Sequence, residues 1–121
     1  ADDIYADLST RYELTPCDGR GSSPAEEFFV NGGPATVGII GSVTRPFCGA
    51  CDRLRLTSDG QLRSCLFSLE EMDLRTAMRN GASDEDIASR FRKTVAGKLP
   101  GHGINDPKFI QPQRPMSAIG G

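Results

Sequence analysis

The sequence has no surplus of charge, no membrane-length apolar run and no secretory leader. Each absence removes a class of function. Fourteen Lys and Arg stand against sixteen Asp and Glu, a formal charge of −2 over 121 residues. A chain this close to neutral offers no global electrostatic pull toward nucleic acid, whose binding rests on neutralising phosphates. The longest apolar stretches, such as residues 37–43, suit single strands, not the ~20-residue helix that spans a bilayer. Without a leader the chain reads as cytoplasmic, in a compartment that keeps thiols reduced. There is no internal repeat. There is no initiating Met either: Ile4, Tyr5, Leu8 and Tyr12 already follow a helical period within ADDIYADLSTRY. A helix that begins with the first residue reads as a segment of a longer protein.

What is present is ordinary globular material, 37% apolar and 25% charged, which excludes disorder by composition. A domain of this size buries roughly two-thirds of its unfolded surface. Residues 2–12 read as an amphipathic helix and the turn-rich residues 15–24 as a loop. Residues 26–30 and 36–43 read as strands around Asn31-Gly32-Gly33, a hairpin signal. Residues 53–57 and 61–65 read as a second hairpin around Ser58-Asp59-Gly60. Ser68 and Glu71 predict a capping box that opens a short helix ending near Gly81. Ser83 predicts the cap of another helix, with Asp84, Glu85 and Asp86 at the positive end of its dipole. Ile87, Phe91 and Val95 give that helix one apolar stripe. From Leu99 onward the chain is Gly- and Pro-rich and aperiodic. The expected architecture is α+β: antiparallel hairpins, then helices, then a flexible tail over 99–121.

The four cysteines are Cys17, Cys48, Cys51 and Cys65. The last three have the spacing C-x2-C-x13-C. Two cysteines three apart can aim their sulfurs at one ion, and the second hairpin returns the third. With a three-residue loop and a left-handed Gly60, Thr57 pairs with Gln61, Arg55 with Arg63, and Arg53 faces Cys65; a two-residue loop shifts this register by one, so the sequence sets proximity and not register. Three sulfurs leave one position unfilled. A structural zinc site normally takes four protein ligands, and the candidate fourths, His102 and Cys17, lack finger-like spacing. An iron–sulfur cluster held by three thiolates keeps one iron open for a small molecule. Spacing alone leaves both the cluster and a structural zinc knuckle standing. Arg53 and Arg55 alternate with Leu54 and Leu56, which places the leucines inward and both guanidiniums on the other face. Guanidiniums beside a metal centre suit phosphate, and Arg63 is positioned to join them. The plain reading of such alternation is a solvated strand face.

Together these features resemble one family. Residues 47–67 (FCGACDRLRLTSDGQLRSCLF), 72–87 (MDLRTAMRNGASDEDI), the upstream GIIGSVTRPF and the terminal RPMSAIGG are similar to the C-terminal part of the molybdenum cofactor biosynthesis protein A family, the radical-SAM GTP 3′,8-cyclases. The resemblance implies that Cys48, Cys51 and Cys65 hold a substrate-side 4Fe-4S cluster. It implies that Arg53, Leu54 and Arg55 bind GTP and that Gly120 and Gly121 reach into the active site. It implies a segment that closes the open side of an incomplete barrel formed by an N-terminal radical-SAM domain. That domain would carry a second 4Fe-4S cluster and S-adenosylmethionine, because its C-x3-C-x2-C signature is absent from these residues. This chain alone is then expected to bind but not to catalyse. The implied partners are GTP, the N-terminal domain and, in the full-length enzyme, a second copy. Neither nucleic acid nor membrane is among them. Cys17 reads as a free loop thiol and His102 as a polar tail residue. A conjugation tail ending in Gly-Gly is disfavoured by the helical C-terminal third and leaves the cysteines unexplained.

Overall fold

A computed structural model describes residues 1–119. The fold is α+β, with two antiparallel three-stranded sheets and short helices. The chain divides into two compact units, Ala1–Asp52 and Arg53–Gly121.

The first unit opens with helix α1 (Asp2–Ser9), whose first turn carries Asp2 and Asp3. It stops short of the predicted residue 12. Ser9 and Thr10 donate their hydroxyls to the Tyr5 and Asp7 carbonyls at 2.8 and 2.7 Å, local bonds that compete with further helix. Strands β1 (Leu14–Pro16), β2 (Ala25–Val30) and β3 (Thr36–Ile40) form a sheet in that order. The expected β2–β3 hairpin is present, with Phe28 opposite Val37 and positive φ at Asn31, Gly32 and Gly33. Phe28 and Ile39 are buried, and the Tyr5 ring of α1 lies 5.0 Å from that of Phe28. Strand β1 corrects the sequence reading, which ran residues 15–24 together as loop. The Asn31 side chain accepts from the Glu13 amide at 3.0 Å, and the Asn31 amide donates to the Glu13 carbonyl at 2.8 Å. These bonds dock β1 as an edge strand, where proline is tolerated.

The second unit is built on β4 (Arg55–Leu56), β5 (Gln61–Arg63) and β6 (Met72–Asp73), with β5 central. The β4–β5 register is the one expected, Arg55 opposite Arg63 and Leu56 opposite Leu62. Gly60 has φ 81°, and the Thr57 amide donates to the Gln61 carbonyl at 2.9 Å. Only glycine fits there: a Cβ would also stand 2.6 Å from the Cβ of Arg75. The predicted capping box at Ser68 and Glu71 does not form. Glu71 is taken by two arginines, Ser68 donates to the Glu70 carbonyl, and the next residues pair with β5 as β6. Helix α2 (Arg75–Arg79) starts after that strand, with Asp73 accepting from the Thr76 amide at 2.9 Å. Helix α3 (Asp84–Ala96) has the expected Ser83 cap, completed as a reciprocal box by Asp86. Leu62, Leu74 and Ile119 form the core of this unit. The inward placement of the leucines fails at Leu56, which is 62% exposed on the edge strand β4.

Candidate metal and nucleotide site

Cys48, Gly49 and Ala50 form one turn of 3-10 helix, and Cys51 follows in extended conformation. The Ala50 and Cys51 amides donate to the Phe47 and Cys48 carbonyls, so backbone bonds close the knuckle and leave both thiols unused by it. Residues 20–24 brace it on both flanks. The Arg20 guanidinium donates to the Arg45 carbonyl at 3.1 Å and lies over the Phe47 ring at 5.9 Å. It also ties its own loop, through the Pro24 carbonyl at 3.2 Å. Ser22 donates to the Asp52 carboxylate at 3.0 Å. Arg45 in turn pairs with Asp2 at 2.6 Å and Glu26 at 2.9 Å, two hydrogen-bonded carboxylates that raise its pKa further. The sequence reading missed Arg20 and Ser22, because their loop carries turn residues and no period.

In the second unit, Cys65 follows the end of β5, and Arg53 and Leu54 precede β4. Arg53, Leu54, Arg55 and Cys65 are all half-buried. Lys98, one residue beyond the C-cap of α3, places its ammonium 2.7 Å from the Arg53 carbonyl and 2.7 Å from the Ser64 carbonyl. A cavity of about 430 Å³ opens beside Cys65, walled by Phe67, His102 and Phe109 with Lys108 on its lining. The His102 ring lies tilted against Phe67, centroids 5.3 Å apart, and its Nδ1 accepts from the Ile104 amide at 3.1 Å, a use suited to a tail residue.

Arg63 does not join a phosphate site. It is 2% exposed, pairs with Glu71 and donates to the Leu66 and Ser68 carbonyls. Glu71 also receives Arg114, at 3.2 and 3.0 Å to its two oxygens. Arg114 spans further, to Asp59 at 3.0 Å and to the Ala118 carbonyl at 3.0 Å. The Thr57 hydroxyl and then Arg114 hold the Asp59 carboxyl at about 2, below its ordinary 3.8. This network pins residues 114–118 to the sheet, next to buried Ile119. Gly120 and Gly121 lie outside the described residues.

Each of Cys48, Cys51 and Cys65 is a half-buried thiol outside any disulfide, and so is Cys17, so each has the chemistry of a thiolate ligand. Cys17 sits after β1, its amide bonded to the Glu27 carbonyl at 2.8 Å. Among the described residues no group of three His, Cys, Asp or Glu side chains is assembled as an ion site. None of the described helices is long and apolar enough to cross a membrane.

Comparison with known proteins gives a family. The sequence model described as Molybdenum Cofactor Synthesis C matches residues 1–104. Three relatives are each named GTP 3′,8-cyclase. The one from Streptomyces coelicolor is 59% identical over 123 residues, all of this chain and 36% of the relative. Those from Rhodococcus opacus and Mycolicibacterium smegmatis are 57% and 56% identical, again over all of this chain and 35% of each relative. The chain thus spans about a third of the length of the curated relatives it matches. It belongs to the Molybdenum Cofactor Synthesis C family and corresponds to the C-terminal part of proteins named GTP 3′,8-cyclase.

Proposed function

We propose that this chain is the substrate-side part of a GTP 3′,8-cyclase, which converts GTP to 3′,8-cyclo-7,8-dihydro-GTP on the way to molybdopterin. In this reading Cys48, Cys51 and Cys65 hold a 4Fe-4S cluster, and Arg53, Leu54 and Arg55 line the GTP site. The segment closes an incomplete barrel formed by the N-terminal radical-SAM domain of the same protein. That domain brings S-adenosylmethionine and the second cluster.

The observation that carries the reading is the braced knuckle, in a chain whose full length matches GTP 3′,8-cyclases at 54–59% identity. Arg20 and Ser22 fix both flanks of a one-turn loop closed by the Ala50 and Cys51 amides, which supports reading its two thiols as ligands. Three thiolates would leave one iron of a bound cluster with an open position for substrate. The residues themselves supply binding and orientation. Arg53 and Arg55 offer planar forks of donors to phosphate oxygens. Both residues are half-buried, and Leu54 between them offers an apolar contact. Arg63 is excluded from this role by its pairing with Glu71.

Anaerobic reconstitution of the full-length protein with iron and sulfide tests the assignment. Cys65→Ser is expected to lower iron content by about one four-iron cluster, and Cys17→Ser to leave it unchanged. Equal losses in both variants would make Cys17 a ligand. Stoichiometric zinc without iron uptake at these cysteines would establish a structural knuckle instead.

A further inference from the structure

The β4–β5 ladder is short. Its last pair is Arg55 with Arg63, and beyond that the two strands have no ladder bonds to hold them together. The residues assigned to chemistry lie past this point, Arg53 on one arm and Cys65 on the other. Extending the register would set them opposite each other, yet regular pairing ends two residues earlier.

Lys98 stands where the ladder stops. Its ammonium donates to the Arg53 carbonyl at 2.7 Å and to the Ser64 carbonyl at 2.7 Å. It joins points 45 and 34 residues away in the chain. An ammonium has three donors and no acceptor, so one Lys serves a carbonyl on each of the two arms. The Ser64 carbonyl belongs to the same planar peptide as the Cys65 amide. Fixing it fixes the plane from which the Cys65 side chain departs. On the other arm, the Arg53 carbonyl fixes the backbone that carries the Arg53 guanidinium. The lysine is itself delivered by a capped helix. Ser83 and Asp86 close the start of α3, and the Lys98 amide donates to the Val95 carbonyl at 3.0 Å just beyond its end.

We propose that Lys98 is a positioning residue that clamps the open end of the β4–β5 hairpin and thereby sets the Cys65 thiol and the Arg53 guanidinium relative to each other. The inference rests on the functional reading for what those groups hold, but the clamp itself does not require a cluster. An apolar side chain of similar length would remove the bridge that ties the two arms together. The arms would then part at the position where a thiolate and a phosphate-binding guanidinium must be held together.

The experiment uses the full-length protein, prepared metal-free and kept anaerobic and reduced, with iodoacetamide as probe and peptide mapping by mass spectrometry. Lys98→Met is expected to speed alkylation of Cys65 about tenfold, the change that one lost charge-assisted hydrogen bond implies. Cys48 and Cys17 in the same molecule are expected to keep their rates. Lys98→Arg, which restores donors and charge, is expected to bring the Cys65 rate back toward wild type. In reconstituted enzyme, Lys98→Met should raise KM for GTP while Lys98→Arg restores it. An unchanged Cys65 rate in Lys98→Met overturns the proposal. So does equal acceleration at all the thiols, or a Lys98→Arg protein that is folded yet alkylates as fast as Lys98→Met. Because alkylation is read without metal, its outcome is separate from that of Cys65→Ser on iron content. Retained iron in Cys65→Ser would remove the cluster assignment and leave the clamp standing.

Discussion

Arg55 and Arg63 are cross-strand partners in the β4–β5 ladder, yet only Arg63 is buried, held by Glu71 and two backbone carbonyls. The difference follows from their strands. β4 is an edge and β5 is central, covered by β4 and β6 on either side and by α3. A guanidinium on the central strand must find its partners inside, and Glu71 is the carboxylate that the approach to β6 supplies.

Removing that carboxylate exposes the cost of a buried unpaired charge. Glu71→Ala is expected to destabilise the protein by about 3 kcal/mol, because Arg63 keeps its charge and loses its counter-ion. Arg114→Ala acts on a partly exposed group and should cost clearly less. Urea unfolding checks both through the midpoint, with the slope unchanged. Equal losses would mean that Arg114, not the buried Arg63, is the main partner of Glu71.

The same network sets a dependence on pH. Asp59 is held at about 2 in the folded chain, from an ordinary 3.8, by Thr57 first and Arg114 second. A folded pKa below the unfolded one means that the unfolded state binds more protons between the two values. The contribution of Asp59 is therefore complete above its ordinary pKa and is lost as pH falls through about 2. Asp73, held down by Thr76, and Asp86, held down by Ser83, act in the same direction. Asp59→Asn is expected to flatten the loss of stability in that acid window and to have its full effect at neutral pH. Thermal unfolding across pH reads this directly; parallel wild-type and mutant curves would remove Asp59 as the source.

Much of this was legible in the sequence where one local rule sufficed. Asn31-Gly32-Gly33 and Gly60 favour positive φ, so both hairpins could be read from turn chemistry, and the Arg55–Arg63 register is the one that a three-residue loop gives. Ser83 with three acids after it could only open a helix. The failures share a cause. Ser68 and Glu71 have capping-box spacing, but Glu71 is claimed by Arg63, eight residues back, and by Arg114, 43 residues on. Pro16 reads as a breaker until Asn31 docks its strand. Arg20, Ser22 and Lys98 carry no motif, because their work is done on carbonyls and on a carboxylate made adjacent by folding. Such roles depend on tertiary contacts that no window of sequence contains.

The end of the chain is expected to divide in its dynamics. Residues 99–113 include no helix or strand, whereas Arg114 is held by Glu71, Asp59 and the Ala118 carbonyl, and Ile119 is 2% exposed. We propose that the flexibility read over 99–121 is concentrated before Arg114. Hydrogen exchange should find the Ala118 and Ile119 amides, bonded to the Pro115 and Met116 carbonyls, slower than those of 99–113. Uniformly fast exchange from 99 onward would restore a wholly flexible tail. If Gly120 and Gly121 act within the site, as the family resemblance implies, deleting them in the full-length enzyme is expected to lower turnover more than GTP affinity.

The arginines at the mouth of the hairpin decide whether the nucleotide is held here. Arg53→Ala and Arg55→Ala in the full-length enzyme are expected to weaken GTP binding and leave iron content intact. The proposed site divides the labour: sulfurs would hold the metal and guanidiniums the phosphate charge. One charge-assisted contact contributes roughly 1.5–3 kcal/mol, so each substitution should cost about ten- to a hundredfold in affinity. Arg→Lys should restore only part of it, because an ammonium keeps the charge and loses the planar fork. Neither change should disturb the core, since both side chains are half-buried and Arg63, the buried member of the set, is untouched. Guanosine is the control: it lacks phosphate, so its binding should be insensitive to all four variants. GTP affinity unchanged in both alanine variants would return Arg53 and Arg55 to a solvated strand face. The phosphate site would then belong to the part of the protein that precedes this chain.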